Sequence, residues 1–277
     1  GVDFVLLDEN DEIVGQTVGY RDHRTDGMDT EVYKIIPEAK LYERTGIQKA
    51  IYNTIYQLMA LKMQNPTELE RAKTMLMMPD YFHYRLCGNK VQEYSEATTT
   101  QLLDPYKKDW DYELIDQLGF PKELFLPIAM PGTAVGHLTD EVQQLVGFDC
   151  QVVLPPTHDT ASAVMAMPTD DPDACYISSG TWSLMGVERE MPNCSAESEA
   201  ANFTNEGGYG GKITYLTNIM GLWMIQSIRG ELAPEMSYGE LCDQASKETI
   251  TSIVDCQDAS FLSPESMVAA VQDYCAK

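Results

Sequence analysis

The residue pattern predicts an α/β protein built as two domains. Three observations carry that expectation. Short apolar runs bounded by turn residues alternate with stretches of helical periodicity. The opening "VDFVLLDENDEIVGQTVGYRD" reads as a strand, an acidic turn and a second strand. At "MPTDDPDAC" the composition shifts to proline and acid, which places a domain boundary near residues 168–174. A chain of 277 residues is long enough for one large core or two smaller ones.

Taken in order, residues 2–20 are expected as two strands and residues 31–64 as mostly helix. Within the second stretch, "NTIYQLMALKMQN" sets Ile55, Leu58, Met59 and Met63 at helical spacing, and Asn65-Pro66 closes that helix. "PTELERAKT" starts another, with acids in its first turn. "MLMMPDYFHYRLCGN" gives a short apolar segment and a helix ending at Gly88. "EYSEATTTQLLDPYKKDWD" reads as a polar loop, and "DYELIDQLGF" as a helix with Leu114, Ile115 and Leu118 inside. "FPKELFLPIAMPG" reads as a proline-punctuated linker, and "FDCQVVLPP" as a buried strand followed by the helix "DTASAVMAM". Past the boundary, "CYISSGTWSLMGVERE" is expected as strand, tight polar turn and strand, with "KITYL" a further strand. "NIMGLWMIQSIRGEL" is expected as a helix opened by Asn218, with Ile219, Leu222, Trp223 and Ile225 at its apolar positions.

Composition narrows the function classes. A hydrophobic fraction of 44% belongs to a globular chain. No apolar run approaches the roughly 20 residues of a membrane span. No basic-then-apolar leader is present, so a cytoplasmic protein is expected. The formal charge of −24 repels nucleic acid and anionic lipid, which both call for basic patches. The seven cysteines form no CxxC pair and read as thiols in a reducing compartment. The histidines His23, His83, His137 and His158 are scattered, so no metal site is expected. The chain starts on an apolar strand and stops in a helical pattern, as a piece of a longer protein would.

"THDTASAV", residues 157–164, lies where a strand is expected to stop and a helix to start. Ligands of α/β folds sit beyond the carboxyl ends of strands. Asp159 there suits a general base that takes a proton from a substrate hydroxyl, with His158 and Thr160 as flanking hydrogen-bonding groups. Asp is equally among the best helix caps, and spacing alone favours the cap. A Ser-His-Asp hydrolase is disfavoured, because a triad converges from different elements and the G-x-S-x-G elbow is missing. "SSGTWS", 178–183, presents amides and hydroxyls at a turn that suits a phosphate or merely a hairpin. Asn218 suits a cap or a sugar hydroxyl, and Gln226 lies two helical turns further on the same expected face. "NFTNEGG" reads as a polar glycine loop. Arg21 and Arg24 either pair with local acids or orient a polar ligand. No G-x-x-x-x-G-K-[ST] loop is present.

"THDTASAV", "YISSGTWSLMG", "NEGG" and "NIMGLWMIQ" closely resemble, in this order, the rhamnulose-phosphorylating branch of the FGGY carbohydrate kinases. "GVDFVLLD", "YRDHRT", "MPDYFHYRLCGN" and "EATTTQL" resemble the same family's first domain, so the likeness covers nearly the whole chain. It implies the actin-like, ribonuclease H-like two-domain fold, with the first domain nearly complete and the second truncated. Residues 1–170 would be the sugar-binding domain without its first strands, and 171–277 the start of the nucleotide-binding domain. It implies ATP-dependent phosphorylation of L-rhamnulose at its 1-hydroxyl, with ATP and Mg²⁺ as cofactors. By the resemblance Asp159 is the proton acceptor, and Gly1, His158, Thr160 and Asn218 contact the sugar. Thr181 and Gln226 match residues on the nucleotide side. The family's first phosphate loop and its later adenosine loop are missing here, so this piece alone is expected to bind ATP poorly. A related kinase for fuculose or xylulose, and a noncatalytic sugar-binding module, are the alternatives. Monomer and homodimer are left open.

Overall fold

Phe4–Leu7 (β1) is apolar on both faces, and both faces are covered. It pairs antiparallel with Thr74–Met77 (β2), Phe4 opposite Met77 and Leu7 opposite Thr74. Successive strand residues point to opposite sides. Phe4, Leu6, Met75 and Met77 therefore enter the main core, while Val5, Leu7 and Leu76 pack on the other side with Tyr81 and Leu126. This is a computed structural model. It describes every residue except Gly1, Arg21, Asp170, Pro172, Gly180, Thr181, Trp182, Met220, Gln257, Leu262, Ser263, Lys277 and the side chains of Gly221 and Ala259.

The expected opening hairpin keeps its turn and loses its second strand. The Asp8 carboxylate accepts from the amides of Asn10 and Glu12, and the chain touches back only at the Leu7–Ile13 bridge. Gly15, at φ +71°, then turns the backbone into a conformation suited to glycine. The helices Met28–Tyr33 (α1), Glu38–Thr45 (α2), Thr54–Gln64 (α3) and Pro66–Arg71 (α4) fill the interval before β2. In α3, Ile55, Leu58 and Met59 are buried as their spacing predicts, while Met63 is exposed at the helix end. Met78–Cys87 (α5) ends at Gly88, whose φ of +75° makes it the expected C-cap.

The largest departure is "EYSEATTTQL". It is no surface loop: residues 92–103 are all buried. Gln92–Glu93 (β3) leads directly into Tyr94–Thr98 (α6), and Leu103–Asp104 (β4) pairs with Asp109–Trp110 (β5). Burying so polar a stretch is tolerable only if its groups are hydrogen-bonded. They are: Thr98, Thr99 and Thr100 donate to the carbonyls of Ser95, Glu96 and Ala97, and Gln92 donates to Met75 and Leu124. Tyr112–Leu118 (α7) follows, with Leu114, Ile115 and Leu118 fully buried. The expected linker is also packed. Leu124 and Phe125 lie in the main core, the Trp110 indole donates to the Leu126 carbonyl, and Ile128–Ala129 (β6) pairs parallel with β3.

Ala134–His137 (β7) and Gln151–Val153 (β8) pair antiparallel, with an irregularity between Ala134 and Gly136, and Asp140–Val146 (α8) lies between them. β8 was expected buried, yet only Val152 and the following Leu154 turn inward while Val153 is exposed. Its one covered face packs on Cys87 and Leu138. Asp159–Met165 (α9) comes next, then Cys175–Ser179 (β9) and Ser183–Arg189 (β10). The "SSGTWS" turn falls largely outside the described residues, with Ser179 and Ser183 hydroxyls 3.0 Å apart at its edges. Ala196–Ala200 (α10) leads to Thr204–Gly207 (β11), which pairs antiparallel with Ile213–Ile219 (β12). The expected polar loop "NFTNEGG" is thus mostly strand, with Thr204, Asn205 and Gly207 buried.

Two units divide the chain: Gly1–Ala174 with Gly186–Leu216, and Cys175–Met185 with Thr217–Lys277. The second carries Gly221–Leu232 (α11) and Met267–Cys275 (α13) around Met224, Phe261 and Met267, and between them Tyr238–Ala245 (α12), none of whose residues is buried. The buried stripe of α11 is Met224 with Trp223 and Ile228, while Leu222 and Ile225 are exposed. Of the four expected apolar positions only Trp223 packs there; Ile219 lies in β12, and the packing partners of α11 cover Met224 and Ile228 instead of Leu222 and Ile225. Among the described residues, no helix is long and apolar enough to cross a membrane.

Candidate active site

Asp159 is the first helical residue of α9, and the preceding His158 occupies the cap position without a side-chain cap bond. The Asp159 side chain is 98% exposed. Its Oδ1 accepts from the Thr160 amide at 2.7 Å and lies 3.5 Å from the Thr160 hydroxyl. Thr160 is itself buried, so it holds the carboxylate from below. A negative charge in the first turn is also favoured by the helix dipole. The result is a carboxylate with one oxygen braced and the rest open to an incoming group.

The backbone beneath Asp159 is anchored by a buried acid. Glu93 Oε2 accepts from the Thr157 amide at 3.1 Å and the Thr157 hydroxyl at 2.6 Å. The same oxygen accepts from the Ser95 hydroxyl at 2.6 Å and the Glu96 amide at 3.1 Å, while Oε1 takes the Ser95 amide at 2.9 Å. Glu93 therefore caps α6 and grips the 157–158 turn together. Ser95 extends the link, since its hydroxyl oxygen accepts from the His158 amide at 3.1 Å. At the far side of the turn the Ser162 hydroxyl donates to the Pro156 carbonyl at 2.5 Å.

The His158 ring is mostly buried among carboxylates. Its Nε2 is 3.8 Å from Asp159 Oδ1 and its Nδ1 is 3.2 Å from Glu206 Oε2. Glu206 stands on β11, which is held close to α6: the Gly207 amide donates to the Thr98 hydroxyl at 2.8 Å. A Cβ on Gly207 would lie 2.7 Å from a Tyr94 ring carbon, so only glycine allows this approach. Burial pushes the Glu206 carboxyl up, and the His158 imidazole draws it back. Glu96 on α6 is raised by burial in the same way and is likewise drawn back by His158. Asp80, beneath them, is pushed well above the usual carboxylate range by burial, although the Glu93 amide donates to it.

Of the residues singled out in sequence, the structure brings His158, Asp159 and Thr160 together at the start of α9. Gly1 and Thr181 lie outside the described residues. Asn218 caps no helix: it lies in β12, partly buried, because the strand continues through Ile219 and α11 starts two residues later. The shared helical face imagined for Asn218 and Gln226 is therefore absent, and Gln226 is an exposed residue of α11. Arg24 is half-buried, donates to Gln57 at 2.5 Å and to the Val18 carbonyl, and lies over the Phe4 ring, which makes it a packing residue. Glu93, Ser95 and Glu206 were not singled out, although Glu206 falls within the "NEGG" run. For Glu93 and Ser95 the local signal is the Glu-x-Ser pattern of a capped short helix, which carries no information about a partner sixty residues away. Among the described residues, no group of three or more His, Cys, Asp or Glu side chains is arranged to hold a metal ion.

The profile of the FGGY family of carbohydrate kinases, N-terminal domain, matches residues 1–166. A rhamnulokinase of Oceanobacillus iheyensis is 48% identical over 99% of this chain and 58% of its own length. One of Pectobacterium atrosepticum is 45% identical over 99% of this chain and 55% of its own. The chain thus spans a little over half the length of these relatives. Among solved structures, a xylulose kinase from Lactobacillus acidophilus superposes with a TM-score of 0.77 at 20% identity, over 88% of this chain and 50% of that one. A glycerol kinase of Plasmodium falciparum with ADP gives 0.72 at 15%, over 89% and 50%. The fold is that of these sugar kinases, and the match across the first 166 residues shows that the chain belongs to the FGGY family of carbohydrate kinases.

Proposed function

We propose that this chain is part of a kinase that transfers the γ-phosphoryl group of ATP to the 1-hydroxyl of L-rhamnulose, in L-rhamnose breakdown. One observation carries the chemistry: Asp159 is an exposed carboxylate on a turn that buried groups hold from beneath. The choice of sugar is supported by 42–48% identity to proteins named rhamnulokinase.

In this reading the sugar hydroxyl gives its proton to the free oxygen of Asp159. Its oxygen bonds to the γ-phosphorus as the bond to the leaving ADP oxygen breaks. Holding the carboxylate in place beforehand removes a reorganisation cost from the reacting step. His158 and Thr160, with Gly1 and Asn218, are the proposed sugar contacts, and Thr181 and Gln226 the proposed nucleotide contacts. Residues 1–170 are the proposed sugar-binding domain and 171–277 the start of the nucleotide-binding domain. Mg²⁺ is proposed from the family alone. A cytoplasmic location is proposed on the same footing.

The test is Asp159→Asn in the chain extended to the full length of its relatives. A fall in kcat of about 10²–10⁴-fold with sugar affinity retained is expected. Unchanged turnover refutes the reading, and a panel of ketoses assigns the sugar, with preference for fuculose or xylulose overturning the choice of rhamnulose.

A further inference from the structure

Glu93 is the N-cap of α6, and its side chain is longer than a cap needs. That position is served best by Ser, Thr, Asp or Asn, whose short side chains turn back onto the first amides of the helix. The Glu93 carboxylate does this for the amides of Ser95 and Glu96. It also reaches out of the helix to Thr157, 64 positions further on, and takes both its amide and its hydroxyl. Donor and acceptor roles agree along the whole link. The three amides can only donate, and a carboxylate accepts. Ser95 gives its one hydroxyl proton to Glu93 Oε2 at 2.6 Å, which leaves its oxygen to accept from the His158 amide at 3.1 Å. At the start of the turn, the Ser162 hydroxyl donates to the Pro156 carbonyl. Pro156, Thr157 and His158 thus each have a backbone group held by a side chain, and two of these three links end on Glu93.

We propose that Glu93 is a positioning residue for Asp159, acting through Thr157 and Ser95. It fixes the turn from which α9 starts, and with it the place of the Asp159 carboxylate when a hydroxyl approaches. The Asp159 side chain is 98% exposed, so the backbone beneath it, and not packing around it, decides where it stands. Glu93 is itself fully closed to solvent, in a part of the core that does not shift with the surface. The methylene that distinguishes glutamate from aspartate is what spans the gap from α6 to the turn. A misplacement of a reacting group by about 1 Å costs about a hundredfold in rate, which is the size of effect such a link can control. The inference rests on the reading of Asp159 as the proton acceptor.

Glu93→Asp separates the two tasks of the side chain, because aspartate keeps the cap of α6 and is one methylene too short for Thr157. Kinetics are measured on the chain extended to the full length of its relatives, with rates taken per folded molecule by circular dichroism, so that lost stability does not pass for lost catalysis. Glu93→Asp and Thr157→Val are each expected to lower kcat about tenfold to a hundredfold and to leave the sugar KM within about threefold. The double variant is expected to match Glu93→Asp, since both changes act on one link. Thr157→Ser, which keeps the hydroxyl, is expected to hold kcat within about threefold of the parent. Parental kcat in Glu93→Asp or Thr157→Val, losses that multiply in the double variant, a change confined to KM, or a Thr157→Ser enzyme as slow as Thr157→Val overturns the proposal. If Glu93→Asp fails to fold, the comparison of Thr157→Val with Thr157→Ser decides it by the same criteria. Asp159→Asn keeps the two ideas apart. If it leaves turnover intact, the reading of Asp159 fails. If it abolishes turnover while Thr157→Val is silent, only the positioning role fails.

Discussion

The hydroxyl of Thr157 donates to Oε2 of Glu93 over 2.6 Å, across 64 positions of sequence. That bond, with the Thr157 amide on the same oxygen, ties the turn before Asp159 to the start of α6. The placement of the candidate base is therefore decided in the buried polar segment 92–100 and not in the helix that carries it.

Replacing Thr157 by Val keeps its shape and removes the hydroxyl. One partly buried charge-assisted bond is lost, and about 1–3 kcal/mol of stability with it. Urea denaturation of the 277-residue chain should show that loss, while Thr157→Ser, which keeps the hydroxyl, should recover most of it.

Glu93→Ala should be far more damaging. Five donors lose their acceptor at once: the amides of Ser95, Glu96 and Thr157 and the hydroxyls of Ser95 and Thr157. A loss of at least about 3 kcal/mol is expected, or failure to fold. Near-parental stability in the same denaturation experiment would contradict this account of the segment.

Gly207→Ala tests the close approach of β11 to α6. The added methyl would sit 2.7 Å from the Tyr94 ring and 3.1 Å from the Ser95 Cα. The backbone carbon cannot yield as a side-chain tip would, so a cost of about 1–3 kcal/mol is expected. Thermal unfolding of the purified variant measures it.

Asp80 gives a pH dependence with a definite sign. Burial holds its folded carboxyl well above the usual range, and repulsion from Glu93 and Glu96 adds to this. A group raised in the folded state contributes stability that is complete below its unfolded value, about 3.9, and is lost as pH rises through the folded value. Asp80→Asn removes that loss while keeping an acceptor for the Glu93 amide. The variant should gain on the parent as pH rises from about 4 to about 8, read as a widening gap in urea midpoints.

Asp111 joins a cap to an ion pair. Its Oδ1 accepts from the Leu114 amide at the start of α7, and its two oxygens take the Arg44 guanidinium at 2.6 and 2.7 Å. Asp111→Ala leaves a partly buried arginine without this partner and α7 without its cap. A destabilisation of about 2–4 kcal/mol is expected by urea denaturation, larger than for Glu113→Ala, whose contact with Arg44 is exposed.

Sequence by itself determined the features that local physics controls. The helices over "DYELIDQL" and "MPDYFHYRLC", the stop at Gly88 and the apolar strand "FVLL" follow from period, capping and backbone freedom, which act within a few residues. It also singled out Asp159 at a strand end and helix start. Tertiary structure alone decided the burial of "EYSEATTTQL". A polar run reads as a loop unless its partners are known, and here these include Met75, Leu124 and Thr157 from distant segments. It moved Asn218 from a helix start into a strand, because β12, set between β11 and β10 in the sheet, runs on through Ile219. It likewise brought Glu206 to His158, a meeting that no spacing encodes. Periodicity reports which face of an element is buried. Which groups share that buried space depends on how elements far apart in the chain come together, and the hydrogen bonds that make a buried acid tolerable exist only once they have.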